Sequence, residues 1–349
     1  MKSKTSVLIV YTGGTIGMIN DPETGALAPF NFEQITLQVP SLKSFGFQLD
    51  TLSFEKPVDS SDVTPEIWIK LAGIIKDNHD KYNGFVILHG TDTMSYTASA
   101  LSFMLENLNK PVIFTGAQLP IGTIRTDGKE NLISAIEIAA ANKDGKPLVP
   151  EVCVYFENKL YRGNRTTKYN SEHFDAFKSP NYPLLAQAGI HIVYNYDAIH
   201  YPEQNKLIKI HTNLDNNIAI LKIFPGINEQ TVSAILGAKN LKAVVLESFG
   251  AGNAPTSDWF IRLIEAAIKK GIFVLNITQC NAGSVDMGRY ETSIKLAEMG
   301  VISGNDMTTE AAVTKLMFLL GQDLRSQEVK LYLQTSIAGE ISFNQEGKH

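Results

Sequence analysis

SVLIVYTGGTIGM, residues Ser6–Met18, decides how this chain is read. A β-favouring apolar run meets Thr-Gly-Gly-Thr, where a buried strand must end and the chain turn sharply. The same change of texture recurs at Phe85–Met94, FVILHGTDTM. Ligands of open α/β sheets bind outside the carboxyl ends of the strands, so alcohols and a carboxylate placed there are the ingredients of a nucleophile site.

Working outward, strands are expected at Ser6–Tyr11, Phe85–Leu88, Val112–Thr115 and Val152–Phe156. Between them, Pro65–Lys76 has Ile67, Leu71, Ile74 and Ile75 on one helical stripe, with Thr64 as its expected cap. Met94–Leu108 is apolar on most sides and reads as a buried helix, and Asn131–Ala141 as a third. From Asp197 the chain turns polar without a sustained period. The alternation then restarts with strands at Ile218–Phe224, Ala243–Leu246 and Ile272–Ile277. Helices follow at Ser257–Lys270, Glu291–Met299, Thr309–Leu320 and Gln327–Leu333. The expected fold class is α/β, with two doubly wound domains. A larger N-terminal domain with a parallel-type sheet spans 1–196, a linker 197–213, and a smaller Rossmann-like C-terminal domain 214–349.

Composition agrees. A chain of 349 residues has room for two domains, and 44 % hydrophobic with 19 % charged residues is ordinary for a globular protein. The net charge of −5 is spread along the chain, which argues against a nucleic-acid or anionic-membrane surface. The apolar run Val7–Val10 is too short for an export signal, and no stretch approaches a membrane span, so a cytoplasmic setting is expected. Cys153 and Cys280 lie outside any CxxC pair and are expected as buried free thiols. No HxxH, HxxxH or HExxH spacing occurs, so no metal is expected.

Four segments carry candidate chemistry. TGGTIG offers Thr12 and Thr15 but neither the GxGxxG nor the GK[ST] pattern of a nucleotide loop, and GAGNAP at Gly250–Pro255 is weak on its own. HGTDTM places Thr91 and Asp92 between a strand and a helix; one of them would suffice as a cap, which leaves the flanking hydroxyls to explain. VDSSDVTP supplies Asp59, Ser60, Ser61 and Asp62, where hydroxyls at a helix start suit a carboxylate and an aspartate suits an α-ammonium. LYRGNRTTKYN, Leu160–Asn170, brings Arg162, Arg165 and Lys168 and reads by default as a solvated basic loop; Lys168 matters only if it folds back over Thr91 and Asp92.

These segments, with GNAP and NITQC in the same order, resemble the bacterial-type L-asparaginases, most closely their cytoplasmic type I branch. The resemblance runs over nearly the whole chain. It implies L-asparagine as a small-molecule substrate, no cofactor, and a homotetramer built as a dimer of dimers. By resemblance Thr15 is the nucleophile, Thr91, Asp92 and Lys168 form a second polar triad, and Asp59, Ser60 and Ser61 hold the α-amino and α-carboxylate groups. The backbone N–H groups of Thr91 and of Ala117, next to Gln118 in TGAQLP, are the candidate oxyanion donors.

Two positions depart from the family pattern. Many relatives carry a tyrosine in the mobile loop after the first motif, whereas Thr24–Phe30 here contains none. Some cytoplasmic relatives have a regulatory asparagine pocket whose pattern Thr167 and Cys280 fit, but Glu247 stands where an arginine would meet the effector carboxylate. A carboxylate facing a carboxylate is repulsive, so the pocket is expected to be degenerate. Three other functions stay open: an amidohydrolase that also takes glutamine, a silent amino-acid-binding sensor, and an amidotransferase subunit acting on charged tRNA. The last would want an RNA-binding region, and no basic stripe supplies one.

Overall fold

Ser6–Tyr11 forms strand β1, buried along its whole length, as a central parallel strand must be when helices cover both faces. The computed structural model describes residues 5–20, 27–29, 39–203, 206–288 and 291–342. It divides into two units, Met1–Ser179 with Pro183–Thr212 and Pro180–Tyr182 with Asn213–His349.

In the first unit β1 is joined by β2 (Gln48–Ser53), β3 (Gly84–Leu88), β4 (Val112–Thr115) and β5 (Val152–Phe156). They pair in parallel in the order β2-β1-β3-β4-β5. The order reverses between β1 and β3, which makes the crevice beyond their carboxyl ends the topological switch point of a doubly wound sheet. Thr12–Thr15 follows β1 and His89–Asp92 follows β3, so both loops open on that crevice. Among the described residues three α-helices accompany the sheet: α1 (Pro65–Asn78), α2 (Met94–Met104) and α3 (Gly128–Ala140).

The parallel sheet is not the whole of it. β6 (Lys159–Arg162), β7 (Ala186–Ala188) and β8 (Ile192–Tyr194) extend it antiparallel beyond β5. This corrects the reading of Leu160–Asn170 as a solvated basic loop. Arg162 is buried because its guanidinium is neutralised by Glu151, with Nε donating to Oε2 at 2.7 Å and Nη2 to Oε1 at 3.1 Å. The main-chain N–H of His200 also donates to Glu151. Arg165 is buried too, at 1 % exposure.

Other boundaries shift for local reasons. The buried stripe of α1 is Trp68, Leu71, Ala72 and Ile75, one position round from the expected one, because the Trp68 indole N–H reaches Thr97 Oγ1 at 3.1 Å. Thr64 sits at the N-cap of α1, but its side chain makes no capping bond. Helix α2 stops at Met104, since Leu105–Glu106 pairs with Lys209–Ile210, so part of the polar stretch after Asp197 belongs to the first unit's own structure. Cys153 is buried as expected, but Cys280 is exposed, beyond the end of its strand.

The second unit carries a four-stranded parallel sheet in sequence order: β9 (Ile218–Lys222), β10 (Ala243–Ser248), β11 (Phe273–Thr278) and β12 (Ile302–Ser303). Helices α4 (Glu229–Leu236), α5 (Asp258–Lys269), α6 (Glu291–Glu298), α7 (Thr309–Gly321) and α8 (Ser326–Gln334) complete it. A core of Leu221, Val232, Val244, Leu246, Phe260, Ile264 and Val274 fills the space around this sheet. An ion pair with no exposed side-chain surface, Lys315 to Glu340 at 2.5 Å, ties α7 to the turn after α8. Glu340 also accepts from the Ile337 and Ala338 amides, the additional bonding that a buried charge requires. Among the described residues no helix is long and apolar enough to cross a membrane.

Candidate active site

The loop after β1 is held by backbone. Thr12 Oγ1 donates to Leu88 O at 2.9 Å, so this alcohol is spent on joining the two strand ends. Gly13 and Gly14 both have positive φ, 139° and 88°, and neither has room for a side chain. A Cβ at Gly13 would lie 2.1 Å from Val58 O, and one at Gly14 would lie 2.5 Å from Gly90 N. Glycine is the residue that tolerates both demands. The close approach presses three loops, 12–15, 58–61 and 89–92, into one cluster. Thr15 opens a short 3-10 turn in it, Thr15–Gly17, and is only partly buried. Among the described residues its hydroxyl has no hydrogen-bond partner.

Neither Thr91 nor Asp92 caps α2. The N-cap is Thr93, whose hydroxyl donates instead to Ser60 O at 2.6 Å. That leaves Thr91 and Asp92 for each other's neighbour: Lys168 Nζ lies 2.9 Å from Thr91 Oγ1 and 2.6 Å from Asp92 Oδ1. Thr91 in turn donates to Gln118 Oε1 at 3.3 Å. Ser60 Oγ donates to Asp92 Oδ2 at 3.4 Å, which links the 58–61 loop to the same group. The chemistry of this chain of bonds is directional, since an ammonium only donates. At rest Lys168 donates a hydrogen bond to Thr91, and Thr91 donates its own to Gln118.

Lys168 reaches the site because its segment is fixed on both sides. The turn Gly163–Arg165 leads from β6 into Thr167–Lys168, which pairs antiparallel with Phe177–Lys178. Behind it, Thr166 Oγ1 donates to Arg162 O at 2.7 Å, and Arg162 is anchored on Glu151.

Asp59 is exposed and accepts from the Ser61 N–H at 2.9 Å and the Ser61 hydroxyl at 2.8 Å. These bonds, the backbone one foremost, hold its carboxyl below the usual carboxylate range, so it is a standing negative charge at the rim. Ser60 is buried beside it. Ala117 follows β4, and among the described residues no acceptor is bonded to its N–H or to that of Thr91.

Asp127 escapes a reading by motif. Its carboxylate accepts from the main-chain N–H of Gln118 at 3.0 Å and of Leu119 at 3.2 Å, and so clamps the loop that carries Ala117 and Gln118. Asn131, buried at 2 %, adds a bond from Nδ2 to Gly116 O at 3.1 Å. The only sequence signal for either is an aspartate just ahead of a helix, which ordinarily means a cap.

Of the remaining expected residues, Thr167 lies on the short strand with Lys168 in the first unit, while Glu247, near the end of β10, and Cys280, after β11, belong to the second. Glu247 is buried at 6 % exposure; it pairs with Lys222 at 3.1 Å and accepts from Thr309 Oγ1 at 2.7 Å. The Thr24–Phe30 segment lies outside the described residues except for Leu27–Pro29, a strand paired with Met18–Asn20. Among the described residues no cluster of His, Cys, Asp and Glu is arranged to hold a metal ion.

Comparison with known proteins bears on this arrangement. The family model described as "Asparaginase, N-terminal" matches residues 6–200, and that described as "Glutaminase/Asparaginase C-terminal domain" matches 217–333. L-asparaginase 1 of Escherichia coli (strain K12) is 43 % identical over 340 residues, 97 % of this chain and 98 % of that one. The crystal structure of L-asparaginase I from Vibrio cholerae superposes with a TM-score of 0.88 at 40 % identity, covering 98 % of this chain and all of that one. The thermostable L-asparaginase from Thermococcus kodakarensis does so with 0.88 at 33 % identity, over 97 % and 100 %.

Proposed function

The chain belongs to the asparaginase family, and on that premise we propose how its own residues hydrolyse L-asparagine to L-aspartate and ammonia. Thr15 Oγ1 attacks the side-chain amide carbon, and the proton lost from its hydroxyl ends on the leaving amide nitrogen. The N–H groups of Thr91 and Ala117 receive the charge that develops on the carbonyl oxygen, and collapse of the tetrahedral adduct expels ammonia. Water then cleaves the β-aspartyl ester and restores Thr15. Asp59 holds the α-ammonium, while Ser60 and Ser61 bind the α-carboxylate.

One observation supports this casting above the others: Lys168 Nζ bridges Thr91 and Asp92 at the end of β3, against the loop that carries Thr15. Because Lys168 donates to both partners at rest, it orients Thr91 first. The alternative role for Lys168 is to relay a proton through Thr91.

Steady-state assay of ammonia from asparagine and from glutamine tests the reading. One methylene is worth only about 1–3 kcal/mol of discrimination, so a minor glutaminase activity fits it. Asparagine binding with no ammonia release would instead favour a silent sensor.

The expected regulatory pocket at Thr167, Glu247 and Cys280 is proposed to be non-functional, since Glu247 brings a negative charge already engaged by Lys222 and Thr309. Velocity is therefore expected to rise hyperbolically with asparagine. A sigmoidal curve abolished by substituting Glu247 or Cys280 would contradict this. A homotetramer and a cytoplasmic setting belong to the same proposal, which rests for them on the family likeness, and sedimentation of the purified chain reads the first.

A further inference from the structure

His89 is fully buried between β3 and the substrate-facing residues, yet takes no part in the scheme above. Its ring is fixed at both nitrogens. Nδ1 lies 2.7 Å from Gly90 O, and Nε2 lies 3.0 Å from Thr97 Oγ1. The Trp68 indole N–H lies 3.1 Å from that same Thr97 oxygen.

With the ring neutral, the donors and acceptors in this chain admit one arrangement. An indole N–H only donates, so Thr97 accepts from Trp68, and with Nδ1 protonated its own proton goes to His89 Nε2. A carbonyl only accepts, so His89 Nδ1 carries the ring proton and gives it to Gly90 O. Burial drives the imidazole pKa down to about 4, which keeps the ring neutral and this tautomer in place. Phe114 closes the side of the ring, edge to face at 6.0 Å.

Gly90 O belongs to the same planar peptide as the Thr91 N–H. We propose that His89 is a positioning residue: by holding the Gly90 carbonyl, it sets the direction of the Thr91 N–H that receives the oxyanion. A hydrogen bond accepted at the carbonyl also polarises the peptide and strengthens its N–H as a donor. The glycine cannot fix this plane by itself, having no side chain, and a Cβ there would lie 2.6 Å from Ser60 Oγ. Trp68 on α1 and Thr97 on α2 thereby act on the reaction through one ring. This role rests on the assignment of the Thr91 N–H as oxyanion donor.

The test uses three variants of the full chain, with kinetics and nitrogen-15 NMR. His89→Leu removes the donor, and His89→Asn keeps an N–H near the Nδ1 position. Thr97→Val is nearly isosteric, so it reports even if His89→Leu does not fold; it frees the tautomer. Expected for His89→Leu is a fall in kcat on the order of 10²-fold with KM little changed, the pattern of an interaction made in the transition state. Thr97→Val falls roughly tenfold, and His89→Asn recovers most of the loss. In the wild type, the His89 nitrogens show the Nδ1–H form, with no titration between about pH 5 and pH 8. The Thr91 amide nitrogen signal shifts in His89→Leu and Thr97→Val. An unmoved Thr91 amide overturns the positioning role. A shifted amide with unchanged kcat overturns it too, by showing that His89 holds the peptide but that the Thr91 N–H is not the oxyanion donor.

Discussion

Thr15→Ala releases ammonia from asparagine at least about 10⁴-fold more slowly than the wild type, while asparagine still binds; that is the expected result. The size follows from the absence of a substitute. Thr12 is the other alcohol on the loop, but its hydroxyl is bound to Leu88 O and the residue is 3 % exposed. Thr91 is tied to Lys168 and Gln118. The change removes one partly exposed hydroxyl and leaves Gly13, Gly14 and Ile16 to hold the turn, so the fold is expected to persist. Whatever activity survives comes from the oxyanion donors and substrate positioning alone. Ammonia assay beside calorimetric titration with asparagine checks it; turnover within about tenfold of wild type would remove Thr15 from the mechanism.

Lys168→Met lowers kcat by about 10²–10³-fold, in the range of losses for a group that manages protons. Methionine keeps much of the stem and discards the charge. Asp92, whose side chain is 63 % exposed, is left solvated rather than stranded, so loss of stability should be small. Thr91 keeps Gln118 but loses the ammonium that orients it. The fall therefore belongs in kcat more than in KM, because Asp59, Ser60 and Ser61 are untouched. Kinetics over a range of asparagine concentrations separates the two. If kcat is unchanged, neither orientation of Thr91 nor proton transfer through it belongs to Lys168.

The sequence shows the parallel part of the first unit plainly, since apolar runs such as Val7–Val10 and Phe85–Leu88 end in glycine and polar residues at the switch point. Thr15, Thr91 and Asp92 are legible for the same reason: each sits in a local motif where strand gives way to turn. Lys168 is legible only through the family resemblance of LYRGNRTTK, because its place depends on contact across 77 residues of chain from Thr91, and no local pattern near it reports that. Arg162 reads as solvated until Glu151 is seen to neutralise it. The antiparallel strands β6 to β8 are only three or four residues long, too short for alternation to reveal. His89 and Asp127 are hidden differently. Their residue types have common structural uses, and only the atoms they face, Gly90 O and the Gln118 and Leu119 amides, give them a role at the site.

The account depends most on an ester forming at Thr15 during turnover. Acid-quenching the wild type and Lys168→Met while they turn over asparagine, then mapping the peptides by mass spectrometry, tests this directly. The expected adduct is a β-aspartyl group on the peptide Tyr11–Met18, localised to Thr15 and absent from Thr15→Ala. The same group found on Thr91 or another side chain, or found on none in either protein, would contradict it.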